Sequence, residues 1–112
     1  MENILHVQQS DWQAIEASAK PVLVDFWAEW CAPCRMLMAT FERLAARYGD
    51  HITFAKVNVD ELPEVTGKLG IRSIPTLVLL VQGKVVEQII GARSYDDLVR
   101  TLDKHVTVPA KA

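Results

Sequence analysis

The chain has 112 residues, enough for one domain and too few for two of ordinary size. Half of the residues are hydrophobic and 23% are charged, with five Gly and five Pro, which excludes a disordered, collagen-like or low-complexity chain. Twelve Lys and Arg stand against fourteen Asp and Glu, a formal net charge of −2 with no basic block, so nucleic acid is not an expected partner.

The first predicted element is a helix over Asp11 to Ala19, with Ser10 as N-cap and Trp12, Ile15 and Ala19 on one stripe. Pro21 interrupts it, and Val22 to Trp27 reads as a strand. One face carries Val22, Val24 and Phe26, the other Leu23 and Trp27 with Asp25 between them, so the strand belongs inside a sheet covered by helices. Leu37, Phe41, Leu44, Ala45 and Tyr48 recur at helical spacing until Gly49. Thr53 to Val59 reads as a second central strand. A short helix follows over Pro63 to Leu69, with Asp60 or Glu61 before it and Pro63 in its first turn, where a missing N–H has no partner to lose. Thr76 to Val81 and Lys84 to Ile90 form a hairpin about Gln82-Gly83. Ser94 with Asp97 resembles a capping box, and Tyr95, Leu98, Val99 and Leu102 give the last helix its apolar stripe. The order predicts an α/β sandwich in a single domain over residues 1–106, with a tail over 107–112.

The apolar run Ile74 to Val81 falls short of the ~18 residues a membrane span needs. The first residues, Met1-Glu-Asn-Ile-Leu-His-Val, do not read as a signal peptide, so a cytoplasmic location is expected. In such a reducing compartment, two cysteines three positions apart, Cys31 and Cys34, indicate redox chemistry or a metal rather than a structural staple. Structural zinc takes four ligands, and His6, His51 and His105 are scattered without ligand spacing, so no metal is expected.

The cysteines lie where a buried strand ends and a helix begins. Free N–H groups and the positive end of the helix dipole stabilise a thiolate there. Cys31, ahead of the helix, is the expected nucleophile; Cys34, inside the first turn, is the more covered, resolving thiol. Two intervening residues let the sulfurs join or part with little backbone movement. Asp25 sits on an apolar face, where burial raises a carboxyl's proton affinity. It is the candidate to take the proton from Cys34 and return it.

The segment Trp30-Cys31-Ala32-Pro33-Cys34 resembles the active site of the thioredoxin family. Asp25-Phe26-Trp27-Ala28, Lys56-Val57-Asn58-Val59-Asp60, Gly70-Ile71-Arg72-Ser73-Ile74-Pro75-Thr76, Gly83 and Gly91-Ala92 follow in the family's order and spacing, over about Ile4 to Val106. The resemblance implies a central mixed sheet of five strands flanked by four helices. It also implies a monomeric protein-disulfide reductase, recharged by an NADPH-dependent thioredoxin reductase. The chain has no glycine-rich dinucleotide fingerprint, and no cofactor is expected.

Further roles come with the resemblance. Lys56, otherwise an ordinary surface lysine, should approach Asp25 and tune its proton affinity. Pro75 could open a strand in trans; the match implies a cis bond facing the cysteines, where Ile74 could pair with an extended substrate. Trp30, Ile74, Gly91 and Ala92 should form an apolar rim for protein substrates, with Ala32 and Pro33 beside it. Trp12, Trp27 and Phe41 are assigned to the core, and Glu29 and Arg35 to a solvated face. Ala32 stands where the family most often has Gly, which bears on redox potential. Ala39 replaces a common Pro, so the long helix should run unkinked. Two other functions fit the same fold: a redox-independent binding module, and an oxidant or isomerase.

Overall fold

A computed structural model describes residues 3–107; of the expected tail, residues 108–112 lie outside the described part. The elements are β1 (Ile4–His6), α1 (Trp12–Glu16), β2 (Val22–Trp27), α2 (Ala32–Tyr48), β3 (Thr53–Asn58), α3 (Pro63–Lys68), β4 (Thr76–Val81), β5 (Lys84–Ile90) and α4 (Tyr95–Asp103). The five strands make one sheet in the order β1-β3-β2-β4-β5. β3 runs parallel to both β1 and β2, whereas β4 is antiparallel to β2 and to β5. This is the thioredoxin fold, a mixed sheet between two helical layers.

The two-sided apolar pattern of β2 is what builds the layers. Val22, Val24 and Phe26 pack with Trp12 and Ile15 of α1 and Val65 of α3. Leu23, on the opposite face, packs with Leu37, Phe41 and Leu44 of α2 and with Leu98 and Leu102 of α4. Phe41 meets Phe54 of β3 edge to face at 5.3 Å between ring centroids. The Tyr48 hydroxyl donates to Asp103 at 2.6 Å, tying the far end of α2 to α4. With Ala39 where many family members carry proline, α2 runs unbroken for 17 residues.

The structure differs from the sequence-based expectation at several elements. β1 has no periodic signature because it is three residues long and two of them are exposed; pairing with β3 from Ile4↔Phe54 to His6↔Lys56 makes it a strand. The first helix is shorter than Asp11 to Ala19. A 3₁₀ turn, Gln9–Asp11, precedes α1, and the Asp11 carboxylate accepts from the Gln8 N–H at 2.8 Å, so Ser10 lies within the turn and is not the cap. At the other end the Ser18 hydroxyl donates to the Lys20 carbonyl, and Pro21 disfavours helix at Lys20, which leaves Ala19 exposed and off the stripe. α3 starts after Leu62, whose apolar side chain cannot cap it; Asp60 and Glu61 both precede the cap position. Ser94 does cap α4, accepting from the Asp97 N–H at 3.1 Å, but the Asp97 carboxylate pairs with Arg100 instead of closing the box.

The hairpin between β4 and β5 turns through Gln82 (φ 52°) and Gly83 (φ 79°), the doubly left-handed geometry that fits strand twist. A Cβ on Gly83 would sit 2.6 Å from the Glu16 carbonyl oxygen. Gly83→Ala is therefore expected to destabilise the protein by about 2 kcal/mol or more, through left-handed strain and the clash with α1. A shift in the urea midpoint at unchanged m-value would measure it.

Candidate active site

β2 ends at Trp27, and after four residues, Ala28 to Cys31, α2 begins. The Cys31 N–H closes the intervening turn onto the Ala28 carbonyl at 3.1 Å. Cys31 is the N-cap of α2, with extended φ and ψ of −96° and 101°. Its Sγ accepts from the Cys34 N–H at 3.2 Å, the bond a Ser or Asp oxygen makes at an ordinary cap. Pro33 occupies the first turn without wasting a donor. Cys31 and Cys34 are joined in a disulfide, their Cα atoms 5.3 Å apart. As expected from their positions, Cys31 retains 5% exposure and Cys34 none. Ala32 and Pro33 are exposed.

Asp25 is completely buried, with no hydrogen-bond partner for either carboxylate oxygen among the described residues. Desolvation raises its pKa to about 7; the positive charge of Lys56 opposes that shift. Lys56 is the register partner of Asp25 across β2 and β3. The Lys56 Nζ lies 4.6 Å from the centroid of the Trp27 ring. Trp27 is half-buried, so it is not the full core residue expected, whereas Trp12 and Phe41 are buried.

The Ile74-Pro75 bond is cis. The Thr76 hydroxyl donates to the Ser73 carbonyl at 2.7 Å, and the Gly91 N–H donates to the Pro75 carbonyl at 2.8 Å. The two bonds hold both sides of the proline. Ile74 packs with Ala28, Cys31 and Cys34, which brings the cis-proline segment to the disulfide. Trp30, 69% exposed, donates its indole Nε1–H to Asp60 at 2.8 Å. A groove of about 330 Å³ runs between Trp30 and Ile74, lined also by Val59, Thr66, Ile71 and Arg72. Gly91 and Ala92 do not line it; Gly91 is attached to Pro75, and Ala92 is exposed next to it. Glu29 and Arg35 are exposed, and the Arg35 guanidinium donates to the Glu29 carbonyl. Among the described residues, no group of three or more His, Cys, Asp or Glu is placed to hold a metal ion.

Asp60 reads from the sequence as a possible helix cap and as part of a family-matched segment, not as a partner of Trp30. The signal for its other contact is topological: β2 and β3 are parallel neighbours, so the loops that follow them, carrying Trp30 and Asp60, must emerge side by side. Val59, Thr66, Ile71 and Arg72 give no such signal, since the groove forms only where the segment before Pro75 passes Trp30.

A disulfide at a helix tip, with a buried acid whose pKa desolvation raises to about 7 and the residue before a cis proline packed on the sulfurs, is the site of a thiol–disulfide oxidoreductase. The thioredoxin family model matches residues 3–104. Thioredoxin 1 of Synechococcus elongatus is 47% identical over 94 residues, covering 84% of this chain and 88% of that protein. Thioredoxin of Alicyclobacillus acidocaldarius is 52% identical over 86 residues, 77% of this chain and 81% of that protein. Thioredoxin of Acidithiobacillus ferridurans is 42% identical over 104 residues, 92% and 96% of the respective chains. The chain belongs to the thioredoxin family, whose members are protein-disulfide reductases.

Proposed function

We propose that this chain reduces disulfides in partner proteins by two successive exchanges at Cys31 and Cys34. In the reduced chain the Cys31 thiolate attacks one sulfur of the partner's disulfide, forming a mixed disulfide and releasing the partner's other sulfur as a thiolate, which takes up a proton. Asp25, as carboxylate, takes the proton of Cys34, directly or through a water. The Cys34 thiolate then attacks Cys31, the Cys31–Cys34 disulfide closes, and the partner's second sulfur leaves and is protonated. Two electrons pass from this chain to the partner, and the product is the oxidised form seen here. The observation that carries this reading is the Cys34 N–H directed at the Cys31 sulfur, a donor that favours negative charge on it.

Substrate engages the groove through Trp30 and Ile74, with Ala32, Pro33 and Ala92 around the sulfurs. The backbone at Ile74 is the edge an extended segment pairs with, and Pro75, held by the Gly91 N–H, presents it. The chain acts as a monomer in the cytoplasm, with a separate NADPH-dependent thioredoxin reductase returning the electrons. No helix among the described residues is long and apolar enough to cross a membrane. The direct test is stoichiometric. When the reduced chain is mixed with a protein disulfide, the substrate should gain two thiols for each Cys31–Cys34 pair lost, and a ratio far from this would contradict the scheme.

The bond from Trp30 to Asp60 fixes the indole at the groove. Asp60→Ala is expected to raise KM for a protein disulfide by about two- to tenfold with kcat unchanged, as loss of one orienting hydrogen bond would. Steady-state kinetics separate the two constants.

A further inference from the structure

The ammonium of Lys56 is held by a ring and not by the acid it influences. Lys56 lies opposite Asp25 on the adjacent parallel strand, so both side chains leave the same face of the sheet. Trp27, two residues beyond Asp25, shares that face. Neither oxygen of Asp25 has a hydrogen-bond partner among the described residues, so the pair makes no direct contact bridge. The Lys56 Nζ instead lies 4.6 Å from the Trp27 centroid, within cation–π range. A lysine stem released from the ring would gain rotamer freedom and move its charge outward into water.

The other neighbours of Asp25 leave Lys56 as the charged group acting on it. Across β4 its register partner is Leu77, which is apolar. On its own strand Leu23 precedes it on the same face and packs under α2, at whose start Cys31 and Cys34 are joined in the disulfide. On the far side of Lys56, its β1 partner is the exposed His6. A direct Lys56–Asp25 ion pair would return the carboxyl to the ordinary carboxylate range, where it could not exchange a proton near neutrality. An ammonium parked on the indole lowers the cost of ionising Asp25 without abolishing it.

We propose that Trp27 is a positioning residue for the proton relay: its indole face holds the Lys56 ammonium beside Asp25 and thereby sets the pH at which that carboxyl exchanges its proton. The functional meaning rests on the reading of Asp25 as the proton acceptor of Cys34, but the positioning itself is measurable without turnover.

The experiment is a titration of the Asp25 carboxyl by carbon-13 NMR in the disulfide form, where no thiol titrates alongside it. Trp27→Leu, which keeps apolar bulk and removes the ring face, is expected to raise the midpoint by about half a pH unit or more. Trp27→Phe, with a weaker ring face, should raise it less. In a Lys56→Met background Trp27→Leu should add nothing. The proposal is overturned if Trp27→Leu leaves the midpoint unchanged or lowers it, or if it moves the midpoint equally with and without Lys56. Should Trp27→Leu fail to fold, the unsubstituted protein gives a second readout. The Lys56 ε-methylene protons should be shifted upfield by the Trp27 ring current, and ordinary lysine shifts would overturn the proposal. Failure of the proton-acceptor reading is a separate event, read from Asp25→Asn as an unchanged rate of mixed-disulfide resolution.

Discussion

Replacing Cys31 with serine is expected to lower turnover of a protein disulfide by a factor on the order of a thousand or more, the scale on which removing a nucleophile acts. The alkoxide that would have to replace the thiolate is not available near neutrality, and the N-cap that favours negative charge on sulfur cannot supply it. Cys34→Ser should behave differently. The first exchange proceeds, because Cys31 and its capping N–H are intact, but nothing remains to expel the partner. Covalent complexes joined through Cys31 should then accumulate and be released by an external thiol. Mass analysis of non-reduced mixtures distinguishes the two variants. Wild-type turnover by either would contradict the two-thiol scheme, as would covalent capture by Cys31→Ser.

Asp25→Ala is expected to stabilise the oxidised protein at neutral and alkaline pH, an uncommon outcome for a change in the centre of a sheet. Asp25 has a folded pKa of about 7 against an ordinary value of 3.8. Between these values the folded chain holds a proton that the unfolded chain has released, so stability falls as pH rises. The stabilising contribution of the protonated carboxyl is complete below pH 3.8 and is lost as pH rises through about 7. The difference of about three pH units corresponds to about 4 kcal/mol, to order of magnitude. The group is wholly buried, so solvent does not screen it. The advantage of Asp25→Ala over wild type should therefore grow from pH 4 to pH 8 and then level off. Denaturant unfolding at several pH values would measure it; an advantage independent of pH would mean that burial has not raised the proton affinity of Asp25. The same substitution should slow resolution by Cys34, so stability and function move in opposite directions at this residue.

The parts of the fold that could be read from the sequence are those in which a local pattern and a tertiary requirement coincide. β2, β4 and β5 have the predicted bounds because apolar faces and turn residues delimit them, with Gln82-Gly83 as the sharpest signal. β1 could not be read this way, since its strand character comes from pairing with β3. The start of the first helix was misplaced because Asp11 and Ser10 are both good caps by residue type, and only the geometry shows that the Asp11 carboxylate serves the Gln8 N–H. At the site, Cys31, Cys34 and Asp25 could be found from spacing and strand alternation alone. Lys56 and Pro75 needed the family resemblance, because a lysine on a strand and a proline at its start are unremarkable in isolation. The partners that hold the surroundings together, Asp60 on Trp30 and Trp27 on Lys56, join segments about 30 residues apart in sequence and emerge only when parallel strands lie side by side.

The chemistry depends on the negative charge that the tip of α2 favours on the Cys31 sulfur. Alkylation of the reduced protein across a range of pH, with each modified residue identified by mass, measures it directly. Cys31 should be modified first and with a midpoint at lower pH than free cysteine, while Cys34 reacts slowly throughout. A Cys31 profile coinciding with that of free cysteine, or preferential modification of Cys34, would contradict the helix-tip activation on which both exchange steps rely.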